Sequence, residues 1–396
     1  MRRALRFGLG VLVGLLVGAA AALTTGLTVP PVATTAGTTT TTAPVSTSLL
    51  PTSTDPLSTG LLLVWTSGGL SEGLAAQVAS LTGVTAVAQV NADLAALTDT
   101  TNSKGGLVSR PEAGMYIPME VAAVDESMAE VVPVEWQAGL EGLSDGALLT
   151  ETSARVRGVG MGGMLTIEGV ELRVAGVMPD VVLGGSEVVV SVETAERLGV
   201  ATPRYLLVAF DGDRAQFEAQ LRGLLPSDLP VRVRAPGETP FLRHGDAVLP
   251  QAIIKDTFGE FAIREIGGGD LELDRAWREA NLVTEEVPLL GQVTCHVGMI
   301  SALRSAMTEL EQANLGFLVE TFHGCWNPRF IGGARSVSRH AWGVAVDINY
   351  QANVTGQTTS QDARLVETME RWGFTWGGNW LVPDAAHFEW VSPPLP

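Results

Sequence analysis

The chain has 396 residues, with 43 Asp and Glu against 25 Lys and Arg, and a formal charge of −18. That length calls for two globular units rather than one. The acidic balance excludes surfaces built for nucleic acid or anionic lipid, because both need basic clusters.

Arg2, Arg3 and Arg6 precede an uncharged apolar run from Phe7 to about Val29, and the next charged residue is Asp55. Such a run is long enough to span a bilayer, which takes roughly 20 residues. Basic residues ahead of it favour an inside N-terminus and an outside C-terminus. Residues 1–29 therefore read as a transmembrane anchor. The small residues Ala19 to Ala22 leave a cleaved signal peptide, and hence a secreted protein, as the alternative. Residues 30–58 are rich in Thr, Pro, Ser and Ala and cannot form a core, so they read as an extended linker. The expected location is the cell membrane, single-pass, with the bulk of the chain outside the cytoplasm.

From Leu61 the pattern becomes globular. Leu61 to Trp65 and Val84 to Val90 read as strands, with a helix over 71–81 between them and a polar loop over 98–107. Met164 to Glu168, a turn at Gly169 and Val170 to Val177 alternate as a β-hairpin. Val188 to Val192, Leu206 to Phe210 and Val231 to Val233 add strands, and 193–198 and 213–224 add short helices. Gly158-Val-Gly-Met-Gly-Gly163 fits GxGxxG formally. Its glycines precede a strand rather than a helix, so a turn is expected and not a dinucleotide site. The unit, residues 59–238, is expected to be α+β. Ala147-Leu-Leu-Thr-Glu-Thr-Ser-Ala-Arg155, Val159 to Thr166 and Val174-Ala-Gly-Val177 resemble the periplasmic core domain of MacB-like and FtsX-like permeases. That resemblance implies a binding or spacer module, without catalytic residues, that could meet an envelope partner.

A second α+β unit is expected over 245–396. Met299, Ile300, Leu303, Met307 and Leu310 form one apolar helical stripe, and Leu365, Val366, Met369 and Trp372 another. Gly316-Phe-Leu-Val-Glu-Thr321 reads as a strand. Cys295 and Cys325 are the two cysteines. They would be thiols in the cytosol, and in an exported chain they read as one disulfide. Of the remaining histidines, His244 is expected to be exposed, and His296 and His323 to approach each other if the bridge forms.

The chemistry concentrates in Ser338-Arg-His-Ala-Trp-Gly-Val-Ala-Val-Asp347 and Asp384-Ala-Ala-His-Phe-Glu-Trp390. His340, Asp347 and His387 make a three-ligand set for zinc with one position left for water. Asp384 stands three residues before His387, where it could serve as a general base. Burying these polar groups unpaired among Trp, Val and Phe would be costly, and a metal resolves that cost. His387 lies on a closing strand whose pairing could bring it beside Asp347. A non-haem iron site also uses two His and a carboxylate, but the six-residue gap here departs from its usual His-x-Asp form.

Ser338-x-His340-x-x-Gly343-x-Ala345-x-Asp347, followed by Asp384-x-x-His387, resembles the paired SxHxxGxAxD and (E/D)xxH motifs of the VanY-type zinc peptidases. That family includes D-alanyl-D-alanine carboxypeptidases and L-alanyl-D-glutamate endopeptidases acting on peptidoglycan stems. The resemblance implies Zn2+ held by His340, Asp347 and His387, with Asp384 as the acidic catalytic residue. It places Arg329 as the cation facing the oxyanion and in contact with substrate. Ser338 either contacts substrate or orients its loop. Glu389, two residues past His387 on the same strand face, is expected behind that ligand. A Cys295–Cys325 bridge would fix the loop bearing Arg329. The alternative is a catalytically silent peptidoglycan-binding or regulatory envelope protein.

Overall fold

Residues 60–332 and 336–391 are described by the structure, a computed structural model. The expected membrane or signal segment and the Thr/Pro-rich linker lie outside the described residues. Among the described residues no helix is long and apolar enough to cross a membrane. The fold is mixed α+β, as the sequence pattern indicates.

Residues 61–234 build one ten-stranded sheet. Its strands are β1 (Leu61–Thr66), β2 (Val84–Thr101), β3 (Leu107–Ser109), β4 (Ile117–Val124), β5 (Ala147–Thr150), β6 (Met164–Ile167), β7 (Val170–Met178), β8 (Val188–Ser191), β9 (Pro203–Phe210) and β10 (Val231–Arg234). The order is β10-β1-β9-β2-β4-β8-β5-β7-β6, with β3 beside β2. The long β2 pairs over 84–91 with β9, over 91–97 with β4 and over 97–101 with β6. Because β6 returns to β2, the strands from β2 to β6 close into a ring. Leu97, Met119, Val121, Leu165, Val174 and Val190 from these strands share one buried cluster. The β6–β7 hairpin turns at Glu168 and Gly169, both at positive φ, the two-residue turn whose twist suits a hairpin.

The C-terminal region carries three small antiparallel sheets. They are β11 (Ile263–Gly267) with β12 (Asp270–Leu273), β13 (Leu282–Val287) with β14 (Gly291–His296), and β15 (Ala345–Asp347) with β16 (Phe374–Trp376) and β17 (His387–Trp390). In the last sheet β17 is central. Helices Ile300–Gln312 and Ala363–Arg371 bury Leu303, Met307, Leu310, Leu365 and Met369 in one cluster with Trp342, Phe388 and Trp390. The sheet and this region pack directly on one another. Tyr116 and Ile263 exchange backbone hydrogen bonds of 2.9 and 2.7 Å, and Leu94 of β2 belongs to the C-terminal cluster.

A buried charge network crosses the same contact. Glu187 accepts from Arg157 Nη2 at 2.9 Å and from Lys255 Nζ at 2.8 Å, and Glu260 accepts from Arg157 Nη2 at 2.6 Å. The side chains of Arg157, Lys255 and Glu187 are at most 1% exposed. Burial pulls Arg157 downward, but the charges of Glu260 and Glu187 and their hydrogen bonds together outweigh it and hold the group above the ordinary arginine value.

Four local expectations fail. Residues 316–321 form a 3-10 turn, Gly316–Leu318, and not a strand. Phe317 there is 67% exposed, so the apolar run has no partner sheet to bury it. The amides of Glu320 and Thr321 go instead to the Asn349 side chain at 2.8 and 3.0 Å. The loop expected over 98–107 shrinks to a turn, because polar Thr98 to Thr101 continue β2 against β6. Its tip is organised by Asn102, which accepts from the amides of Lys104 and Gly106. His244 is half-buried and stacked on Tyr205 with ring centroids 5.1 Å apart, not exposed. His296 and His323 take separate partners, Phe258 O and Gln351 Nε2.

Candidate metal centre

Three short pieces of backbone bring His340, Asp347 and His387 together. Ser338 starts a 3-10 turn, Arg339–Trp342, by accepting the His340 amide on its Oγ at 3.3 Å. Gly343 ends the turn at φ 67°, and a Cβ there would lie 2.7 Å from the His296 nitrogen. Only glycine meets both demands. β15 then runs antiparallel to β17 in a register that sets Asp347 directly opposite His387. The ligand atoms of the three residues lie within 4.8 Å of one another.

The hydrogen bonds around the cluster fix both imidazole tautomers. His340 Nδ1 is 2.7 Å from the Cys325 carbonyl oxygen, which can only accept, so Nδ1 carries the proton and Nε2 a lone pair. His387 Nε2 is 3.3 Å from Glu389 Oε1, so Nε2 donates there and Nδ1 is the nitrogen that offers its lone pair once its own proton is displaced. His340 Nε2, His387 Nδ1 and Asp347 Oδ1 therefore converge, at separations of 3.2, 3.2 and 2.9 Å. Three electron pairs at that distance repel unless a cation or proton lies among them. A tetrahedral ion with bonds of about 2.0–2.1 Å sets its ligand atoms about 3.3 Å apart. The donor set thus fits zinc.

The titration behaviour says the same. Burial pushes Asp347 upward, but hydrogen bonds and charge from His340 and His387 more than offset this and hold it far below the carboxylate range. Burial pushes His387 downward, and Asp347 and Glu389 outweigh it, raising it to about 10. Without a cation the cluster holds a proton in the same place, so metal binding is a competition with that proton. Burial raises Asp384, aided by the negative charge of Asp347 and opposed by His387 and a hydrogen bond from Thr355. Glu389 is 5% exposed and held below its ordinary value, because His387 and Arg339 outweigh its burial.

The remaining expected residues take definite places. The Cys295–Cys325 disulfide is present with Cα atoms 5.5 Å apart, and the Cys325 carbonyl is the one that orients His340. Ser338 is buried and caps the turn that carries His340. The Arg329 carbonyl accepts the Ser338 amide at 3.0 Å, and its backbone bridges to Asp270. Among the described residues its guanidinium makes no hydrogen bond or ion pair with the three-residue cluster.

Asp384 and Glu389 open onto a cavity of about 590 Å³ whose other wall comes from the ten-stranded sheet, including Asp93, Glu120 and Arg204. Trp380 lines it as well, and its ring lies 5.1 Å from that of His387. Sequence reasoning passed over Trp380 and Arg339. Arg339 sits inside the motif itself, is buried, and donates to the Leu249 carbonyl at 2.7 Å. A charged residue between two buried ones was the available signal.

Residues 332–390 match the family model described as D-alanyl-D-alanine carboxypeptidase. The match supports a peptidase-type function and covers His340, Asp347, His387 and Asp384. No curated protein matches this chain. Among solved structures, the periplasmic region of MacB from Actinobacillus actinomycetemcomitans is similar at 12% identity and a TM-score of 0.32, over 46% of this chain and 90% of that one. The extracellular domain of the noncanonic ABC-type transporter YknZ from Gram-positive bacteria is similar at 10% identity and a TM-score of 0.31, over 44% of this chain and 99% of that one.

Proposed function

We propose that this chain is a zinc-dependent peptidase that hydrolyses peptidoglycan stem peptides, at a D-Ala-D-Ala or an L-Ala-D-Glu type bond. The convergence of His340 Nε2, His387 Nδ1 and Asp347 Oδ1, with the two imidazoles held by Cys325 O and Glu389, carries the reading. His340, Asp347 and His387 would hold the ion. A bound zinc supplies Lewis acidity and lowers the pKa of water to about 7, giving a nucleophile at neutral pH. Asp384 takes the proton of the attacking water and returns it to the leaving amine. Its upward shift brings it closer to working pH, as a general base requires. Arg329 is assigned to the oxyanion side and Ser338 to holding the His340 turn. Glu389 keeps His387 in the tautomer that presents Nδ1. The domains are residues 59–238 and 245–396, and the protein works outside the cytoplasm behind the anchor 1–29.

The test is metal analysis of protein purified without chelator, together with mass spectrometry of digested muropeptides. About one zinc per chain and shortened stem peptides are expected. Zinc without cleavage of any stem would favour the silent binding protein, and absence of metal would remove the proposal altogether.

A further inference from the structure

The segment 377–384 carries two groups of the site, Trp380 against His387 and Asp384 at its end. It is fastened to the ten-stranded sheet and to the segment that follows it, rather than to its own small sheet alone. Asp246 Oδ2 accepts the Leu381 amide at 2.7 Å. The other oxygen of Asp246 accepts from Arg232 Nη1 at 2.6 Å and Arg234 Nη2 at 3.3 Å, both on β10. Arg232 Nη2 also donates to the Asn379 carbonyl at 3.2 Å. The Leu381 side chain packs against the sheet's own core cluster of Leu61, Leu63 and Trp65. Within the segment, the Trp380 and Asp384 amides both return to the Gly377 carbonyl, at 3.1 and 2.9 Å. A shift at Leu381 is therefore passed to Trp380 on one side and to Asp384 on the other.

We propose that Asp246 is a positioning residue for catalysis, clamping the segment that bears Asp384 so that the peptidase site is complete only while the ten-stranded sheet is docked. This rests on the peptidase reading above. The physical requirement is one of placement. A general base must sit within hydrogen-bond reach of the proton it takes, and a misplacement of about 1 Å can cost on the order of 100-fold in rate. Although the His387 amide donates to the Asp384 carbonyl at 3.1 Å, the ligand set is held mainly from outside the clamp, because His340 and Asp347 lie on other segments and His387 is paired in β17. The clamp therefore acts on turnover and not on metal content. It also gives the sheet a role beyond that of a spacer, since whatever displaces it disables the base.

The experiment uses the full-length chain and reads steady-state kinetics, zinc content and hydrogen exchange. In Asp246→Ala, kcat on a muropeptide should fall about 10- to 100-fold. KM should stay within about twofold and zinc content should not change. Hydrogen exchange of 377–384 should accelerate. Asp246→Asn keeps one acceptor for the Leu381 amide but turns its NH2 toward Arg232 and Arg234, so its exchange and turnover should fall between those of wild type and Asp246→Ala. Should Asp246→Ala fail to fold, Arg232→Ala removes the tether to Asn379 at a side chain 31% exposed and should show the same changes on a smaller scale. Unchanged kcat in both alanine variants, unchanged exchange, or an Asn variant as impaired as the Ala variant would each overturn the clamp. If no peptide is cleaved by the wild-type protein, the peptidase reading fails on its own, and the exchange arm still decides whether Asp246 holds the segment.

Discussion

Glu187→Gln tests the charge network joining the sheet to the C-terminal region. Glu187 Oε1 receives Arg157 and Lys255, while Oε2 receives the Glu120 amide at 2.9 Å and Gln251 Nε2 at 2.8 Å. The amide keeps one acceptor oxygen and turns the other into an NH2 facing two donors. It also leaves two buried cations against the single carboxylate of Glu260. Removing one partner of a buried pair typically costs about 3–5 kcal/mol, because the remaining charge is left without compensation. At an unfolding entropy of about 2.1 cal/mol/K per residue, roughly 330 residues give ~0.7 kcal/mol/K, so Tm should fall by about 4–7 °C. Guanidinium unfolding followed by tryptophan fluorescence, with calorimetry for Tm, measures the change. Adding Lys255→Met restores neutrality with Arg157 facing Glu260. The double variant should therefore be more stable than the sum of the single effects predicts, by about 1–3 kcal/mol. A Glu187→Gln protein within about 1 kcal/mol of wild type, or strictly additive effects, would refute the argument that this network is a tightly compensated charge set.

Asp384→Asn should retain zinc and lose about 10²- to 10⁴-fold in kcat, and equal turnover would reassign the base. Cys295→Ser with Cys325→Ser opens a 30-residue separation and should cost about 3–4 kcal/mol in the chain-entropy account, read by denaturant titration against the oxidised protein. Zinc affinity should fall with it, because Cys325 O holds His340 Nδ1, and unchanged affinity would deny that link. His244 is lowered from 6.5 to about 3, first by burial and then by the charges of Arg243, Arg204 and Arg234. Below about pH 6.5 the unfolded chain binds a proton that the folded one refuses, so stability falls as pH drops toward 3. His244→Gln should flatten that part of the Tm–pH curve, and parallel curves would exclude His244 as a contributor.

The convergence of His340, Asp347 and His387 was legible because its determinants are local. Ser338 to Asp347 is one turn and one strand, and pairing with the closing strand put His387 opposite Asp347, as period-2 logic allows. The hairpin at Gly169 and the stripes of Ile300–Gln312 and Ala363–Arg371 were legible for the same reason. What failed depended on distant partners. The apolar run 316–321 looked like a strand until Asn349 claimed its amides. His244 looked exposed because nothing near it in sequence announces Tyr205. Asp246 and Arg232 gave no signal, since a carboxylate reaching Leu381 over 135 positions leaves no periodicity to read.

The supports of the site are separate in a way that assigns each a distinct failure. His340 is oriented by the Cys325 carbonyl, and thus by the disulfide. Asp347 lies on β15, whose backbone is held by Gly324 and His323 on the other side from β17. His387 is oriented by Glu389 on the same strand. All three supports lie within the C-terminal region. Asp384, with Trp380, hangs on a segment held by Asp246 and Arg232. An insult to the disulfide or to Glu389 should therefore appear first as weaker metal binding, by about 10- to 100-fold for a lost outer partner. An insult to the sheet should appear as a loss of turnover with the metal in place. That ordering distinguishes a sheet that merely accompanies the peptidase from one that completes it.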